Sequence, residues 1–265
     1  MKFFDLFCGV GGFRLGMEAN GNVCIGSCEI DKYARQTYAK NFGHEPEYTD
    51  VRKINPGELE DFDCLCAGFP CQAFSIAGKR RGLDELGYDV EWQVLDSANW
   101  VPQHRERIFI IGHLRGKSRS QVFSPHDTFQ DQDDRNTNSK KEGISATLTT
   151  KQDRYPNAGF IVEPVYDLSR DNYRGNGRRI KTNNEDSFTL TIADKHGIRL
   201  NGKYRFFTPL ECERLQGFPD GWTEGVSDVQ RYKQMGNAVT ATVVEYIAQL
   251  LTTNDFIRDN LYLDV

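Results

Sequence analysis

Phe3-Phe4-Asp5-Leu6-Phe7 runs directly into Cys8-Gly9-Val10-Gly11-Gly12: an apolar strand pattern that ends in a glycine loop. Phe13–Ala19 follows with helical character, and Val23–Glu29 is a second strand candidate. Asp31 is placed to cap a helix reaching about Asn41, with Tyr33, Ala34, Thr37 and Tyr38 on one face. Cys64–Ala67 is a third apolar run, closed by Gly68. Strand, loop, helix and strand in this rhythm predict an open, mostly parallel α/β sheet. Backbone N–H groups in a glycine loop can approach a ligand without interference from Cβ atoms. Glu29, twenty residues after Gly9, is placed for a carboxylate to accept ribose hydroxyls. On these residues alone a tight turn beside an exposed acid stays open. Arg14 and Leu15 stand where a dinucleotide loop has its third glycine, which favours a nucleoside without a pyrophosphate over a nicotinamide dinucleotide.

Further along, Val90–Leu95 and Arg107–Gly112 are strand candidates, and residues 115–204 are polar and lack a sustained period. A helical pattern resumes at Thr208, and Val239–Leu251 is an amphipathic helix expected to pack back beside the first strand. The expected division is a catalytic and cofactor-binding domain over 1–113, a loop-rich domain over 114–204 and a closing segment over 205–265. In 265 residues, 33 basic side chains stand against 38 acidic ones, a net charge of −5. That excludes a histone-like polycation but not an enzyme with a local basic face. Residues 170–205 supply one, with nine basic and four acidic side chains. A solvated charged surface is the bland alternative. No apolar run is long enough to span a bilayer, and Asp5 makes the N-terminus a strand rather than a secretion signal. Seven cysteines without zinc spacing read as reduced thiols in a cytoplasm, with no metal site.

Gly68-Phe69-Pro70-Cys71-Gln72-Ala73-Phe74-Ser75 begins where the third strand candidate stops. Ligands in open α/β sheets bind beyond the carboxyl ends of strands, and Cys71 is placed there. A small buried thiol is the commoner state of an arbitrary cysteine, but the polar loop that follows argues for exposure.

Together these segments resemble the bacterial cytosine-5 DNA methyltransferases. Asp5–Gly12 matches that family's cofactor loop, Cys28-Glu29-Ile30-Asp31 its ribose acid, Asp50-Val51 its adenine pair and Gly68–Ser75 its nucleophile motif. Gln103-His104-Arg105-Glu106-Arg107 resembles its QxRxR segment. Thr208–Pro219 and Gln234–Val239 match its two closing motifs. The resemblance implies a Rossmann-like S-adenosylmethionine-dependent sheet with a small target-recognition domain between 114 and 204. It implies Cys71 as nucleophile, Arg107 against the flipped base and Arg105 in support of the fold or loop. Phe7, Gly9, Gly11, Gly12, Glu29, Ile30, Asp50, Val51, Pro70, Asn237 and Val239 are the residues it assigns to the cofactor. Double-stranded DNA is the implied partner, with a companion restriction endonuclease; the sequence leaves the oligomeric state open.

One departure is large. The family carries a helix–strand–helix stretch, with a Glu-Asn-Val motif, after the nucleophile loop. Here Arg81-Gly82-Leu83-Asp84-Glu85 runs straight into Leu86-Gly87-Tyr88-Asp89-Val90, and Glu-Asn-Val occurs nowhere. The resemblance gives that glutamate the contact to ring nitrogen 3 of cytosine. Loss of the strand is expected to expose sheet edges.

Overall fold

The computed structural model describes residues 1–68, 87–115, 121–123, 162–165, 180, 185–191, 196–200 and 203–261. Its first layer is a parallel sheet of β1 (Lys2–Leu6), β2 (Val23–Cys28) and β3 (Cys64–Ala67), in the order β2-β1-β3. Phe3 and Phe4 of the central strand are fully or almost fully buried. Helix α1 (Gly12–Glu18) leaves the glycine loop, and α2 (Lys32–Phe42) follows β2. The Asp31 side chain accepts from the Tyr33 and Ala34 N–H groups, the capping expected from its position. Ala34, Thr37 and Tyr38 are the buried face.

The second layer is an antiparallel ribbon of β4 (Tyr88–Asp96) and β5 (Glu106–Leu114), which pairs with no other strand among the described residues. A third, small antiparallel sheet joins β6 (Val162–Val165), β7 (Gly197–Leu200) and β8 (Lys203–Phe206). The polar region between 115 and 204, expected to be loop-rich, thus contributes short strands among its described residues. Its short strands were hidden by the lack of any sustained alternation. The closing segment supplies α3 (Pro209–Leu215), α4 (Asp228–Asn237) and α5 (Ala241–Leu261). Thr208 and Glu211 form a reciprocal capping box at the start of α3, with Pro209 at its first position.

Helix α5 ties the layers together. Val244 and Ala248 pack with Phe3, Met17 and Cys66, while Val243 and Ile247 pack with Leu95 and Phe123. The close approach of α5 to α1 is made at Gly16, where an added Cβ would lie 2.7 Å from the Glu245 backbone nitrogen. The final helix thus returns to the first strand, as the sequence predicted. No helix among the described residues is long and apolar enough to cross a membrane.

Candidate active site

Three segments distant in sequence meet around the carboxyl ends of β1 and β2. The chain leaves β1 through Phe7, whose φ of 61° is the one positive value at a non-glycine residue among those described. Such a conformation costs on the order of 1 kcal/mol and marks a loop held by its surroundings. Gly11 has φ 89°, and a Cβ there would sit 2.3 Å from the Phe42 ring. Gly9, at φ 56°, faces open space within 4 Å. One glycine is thus required by packing, and the other leaves room above the loop.

Glu29 braces that loop. Its Oε2 accepts from the Gly9 N–H at 2.9 Å and its Oε1 from the Asp31 N–H at 2.7 Å. Each carboxylate oxygen has a second lone pair, and the residue is half-buried, so both remain able to accept ribose hydroxyls. The sequence assigned Glu29 to a ligand; its grip on Gly9 was not foreseen, because a backbone donor leaves no signal in residue type. Tyr48 bridges to Cys28 and its carbonyl accepts from the Glu29 N–H at 3.1 Å, which brings Asp50 to the same edge. Arg52 grips the Asp50 carboxylate at 2.9 and 2.6 Å, and these bonds hold its pKa down to about 2. Ile30 and Phe7 are exposed apolar side chains beside these acids, and Val51 follows Asp50.

The third segment comes from the closing motifs. Val239 lies against the start of α1: a Cβ on Gly12 would be 2.8 Å from its Cγ1. Trp222 Nε1 donates to the Val10 carbonyl at 2.9 Å. Asn237 is exposed at the last position of α4. Arg105 fixes this segment from behind. It is 5% exposed and donates to the carbonyls of Leu190, Gly236 and Ala238 at 2.8, 3.2 and 3.0 Å. Burial lowers its guanidinium pKa to about 9. Gln103 is fully buried, donates to the Leu215 carbonyl and accepts from the Leu190 N–H. Arg107 is exposed on β5, and its Nη1 donates to the Glu106 carbonyl at 2.7 Å.

Pro70 and Cys71 lie outside the described residues; β3 ends at Ala67, just before their motif. Among the other cysteines, burial pushes the thiols of Cys8, Cys24, Cys28 and Cys212 upward, Cys24 to about 11. Cys66 is raised as well, chiefly by its bond with Cys64 and then by burial. All five stay protonated at neutral pH. Of the basic residues near the recognition region, Arg199, Lys203 and Arg205 are described, and Arg205 is paired with Glu211 at 2.7 Å.

A parallel sheet with a glycine loop after its first strand and an acid after its second defines a nucleoside-cofactor α/β enzyme. The model of the C-5 cytosine-specific DNA methylases matches residues 1–85 and 81–252. A Type II methyltransferase of Haemophilus parahaemolyticus, M.HhaI, is 31% identical over 310 aligned positions, covering 94% of this chain and 93% of that protein. M.HpaII of Haemophilus parainfluenzae is 33% identical over 312 positions, covering 92% and 87%. The fold is similar to that of the Schizosaccharomyces pombe Dnmt2 methyltransferase (TM-score 0.67, 17% identity, 96% and 99% covered). It is also similar to a putative prophage DNA modification methyltransferase from E. coli (TM-score 0.64, 21% identity, 96% and 99% covered). The chain belongs to the C-5 cytosine-specific DNA methylases, enzymes that use S-adenosylmethionine. The open space at Gly9 and the half-buried Glu29 fit that cofactor's ribose.

Replacing Glu29 with glutamine tests the brace and the ribose contact together. A glutamine keeps one acceptor and turns an NH2 toward the backbone N–H of Gly9 or Asp31. We expect the dissociation constant for S-adenosylmethionine to rise about tenfold or more, the scale of one lost charge-assisted bond. Titration calorimetry on the folded variant reads it; an unchanged constant would remove Glu29 from the site.

Proposed function

We propose that this chain methylates carbon 5 of a cytosine flipped out of double-stranded DNA, with Cys71 as the nucleophile. The reading is carried by the convergence of the Glu29-braced glycine loop, the Asp50 edge and Val239 at the ends of the parallel strands. The Cys71 motif starts immediately beyond β3. Cytosine carbon 5 is too weak a nucleophile by itself. Addition of the Cys71 thiolate to carbon 6 makes it enamine-like. S-adenosylmethionine supplies an electrophilic methyl group to it. A base then removes the carbon-5 proton, and the electron pair expels the thiolate and restores the ring. Flipping the base costs about a few kcal/mol, recovered through contacts to it, among them Arg107. Phe7, Gly9, Gly11, Gly12, Glu29, Ile30, Asp50, Val51, Pro70, Asn237 and Val239 hold the cofactor in this reading. Residues 114–204 read the target between the catalytic domain of 1–113 and the closing segment of 205–265. The restriction-modification names of the relatives support a companion endonuclease.

A second reading is favoured by the absence of Glu-Asn-Val from the sequence: a methylase that binds cofactor or DNA with impaired chemistry. The absent Glu-Asn-Val glutamate would remove acid assistance, which typically contributes about 10²–10⁴-fold. Labelled S-adenosylmethionine, mixed-sequence unmethylated duplex and a Cys71→Ser control separate the two. We expect label in 5-methylcytosine and none in the control. Folded, cofactor-binding protein without transfer would leave the second reading.

A further inference from the structure

The β4–β5 ribbon has one mixed face, where Leu95, Phe109 and Ile111 stand with Glu91, Gln93 and His113, and one apolar face that stays exposed. Leu95, Phe109 and Ile111 pack with Val243 and Ile247 of α5. The register sets Trp92 opposite Ile110 and Val94 opposite Ile108 on the other face, with Val90 and Leu114 beyond them. All six side chains there are exposed, from Ile110 at 42% to Ile108 at 59%. Antiparallel ribbons with one wet face carry polar residues on it, and exposed apolar patches of this kind mark interaction surfaces. The neighbouring parallel sheet is open at the same place. β3 is its last strand among the described residues, and Leu65 on β3 is 53% exposed. Helix α5 lies behind both sheets, so it backs a gap in the strand order.

The family match breaks and restarts at residues 81–85, between β3 and β4. The alignments with three relatives run over 310, 308 and 312 positions, against 265 residues in this chain. Each relative therefore carries more than forty residues without a counterpart here. That length suffices for one strand and its flanking helices.

We infer that the exposed ribbon face and the open edge of β3 form a docking surface for a separate polypeptide equivalent to this stretch. It would add a strand beside β3 and lay apolar side chains on Val90, Val94, Ile108 and Ile110. A second copy of the chain fits less well. Ribbon-to-ribbon packing covers the apolar face but adds no strand to β3. The inference rests on the family fold and not on methyl transfer by this chain.

The test uses the full chain and three recombinant polypeptides. Each carries the stretch of the M.HhaI, M.DsaV or M.HpaII relative that lies opposite residues 81–85. At least one is expected to form a one-to-one complex by light scattering, to shift Trp92 emission to the blue and to slow hydrogen exchange in β3. Trp92→Phe assigns the emission signal. Ile110→Lys, on the exposed face, is expected to weaken the complex at least tenfold while leaving cofactor affinity and unfolding midpoint unchanged. Failure of all three polypeptides to bind overturns the inference, as does a homodimer of the chain alone with the β3 amides already protected. Methyl transfer is not the readout, so neither outcome bears on the proposed chemistry.

Discussion

Arg105→Met is expected to lower the unfolding free energy by about 2–4 kcal/mol, whereas Arg107→Met changes it by about 0.5 kcal/mol or less. The difference follows from burial, since the two arginines are two residues apart. Arg105 donates to three main-chain carbonyls, and each buried acceptor left without its donor costs about 1–3 kcal/mol. An opposing effect must be weighed. Arg105 forms no ion pair among the described residues, and its lowered pKa reflects a desolvation cost that methionine relieves. Methionine leaves the carbonyls facing an apolar chain, however, so the loss outweighs the relief. Gly236 and Ala238 flank Asn237, and Val239 follows, so the same change is expected to weaken S-adenosylmethionine binding. Urea melts and cofactor titrations of both variants check it. An Arg105→Met protein with unchanged stability and cofactor affinity, but without transfer, would make Arg105 a substrate-touching group instead. Arg107→Met, on the exposed start of β5, should keep stability and cofactor affinity and lose transfer.

Much of the fold was legible because local chemistry and tertiary position agree. Asp31 and Thr208 cap the helices their spacing predicted, and the three parallel strands fall on the three apolar runs. The ribbon is instructive for the opposite reason. Val90–Leu95 and Arg107–Gly112 read as strand candidates; Val90, Trp92 and Val94 alternate with Glu91 and Gln93, whereas Ile108–Ile111 is continuously apolar. Among the described residues, apolar packing falls on the side of Leu95, Phe109 and Ile111. The alternation in β4 marks Val90, Trp92 and Val94 as the side to be buried, yet the structure leaves them exposed. The site was legible where a residue type has few uses, as at Gly11 and Glu29. It was opaque where function runs through the main chain: the Gly9 brace, and the three carbonyls that occupy Arg105. The polar network of Gln103, Gln216 and Thr240, which links the QxRxR segment to the closing motifs, was equally hidden. Amide and hydroxyl side chains are common on surfaces, and only their burial here marks them.

Asp5 carries the second large effect. In sequence it is only the polar interruption of the first strand, yet in the structure it is fully buried beneath the glycine loop. Neither carboxylate oxygen has a hydrogen-bond partner of ordinary geometry. Burial raises its pKa to about 8; the Arg14 backbone N–H in the first turn of α1 and the Arg14 charge offset only part of the shift. In the unfolded chain the same group titrates near its ordinary value of 3.8. Between these values the folded protein holds a proton that the unfolded chain has lost. Stability therefore falls as pH rises through the window, by up to about 1.4 kcal/mol per unit. Below pH 4 both states are protonated and the penalty vanishes; above pH 8 both are ionised and it is constant. Asp5→Asn has the shape of the neutral acid and cannot ionise. It is expected to match the parent protein near pH 4 and to exceed it by several kcal/mol at pH 8. The lowered carboxyls of Asp31, Asp50 and Asp220 titrate below this window and are common to both proteins, so the difference between the curves isolates Asp5. Urea midpoints at half-unit steps from pH 4 to 8 give the measurement. Parallel curves would mean that the carboxylate is ionised in the folded protein and bonded to the N-terminus of α1. Curves that diverge as predicted would make the base of the cofactor loop a source of instability at neutral pH, one that a ligand held by that loop would counteract through binding.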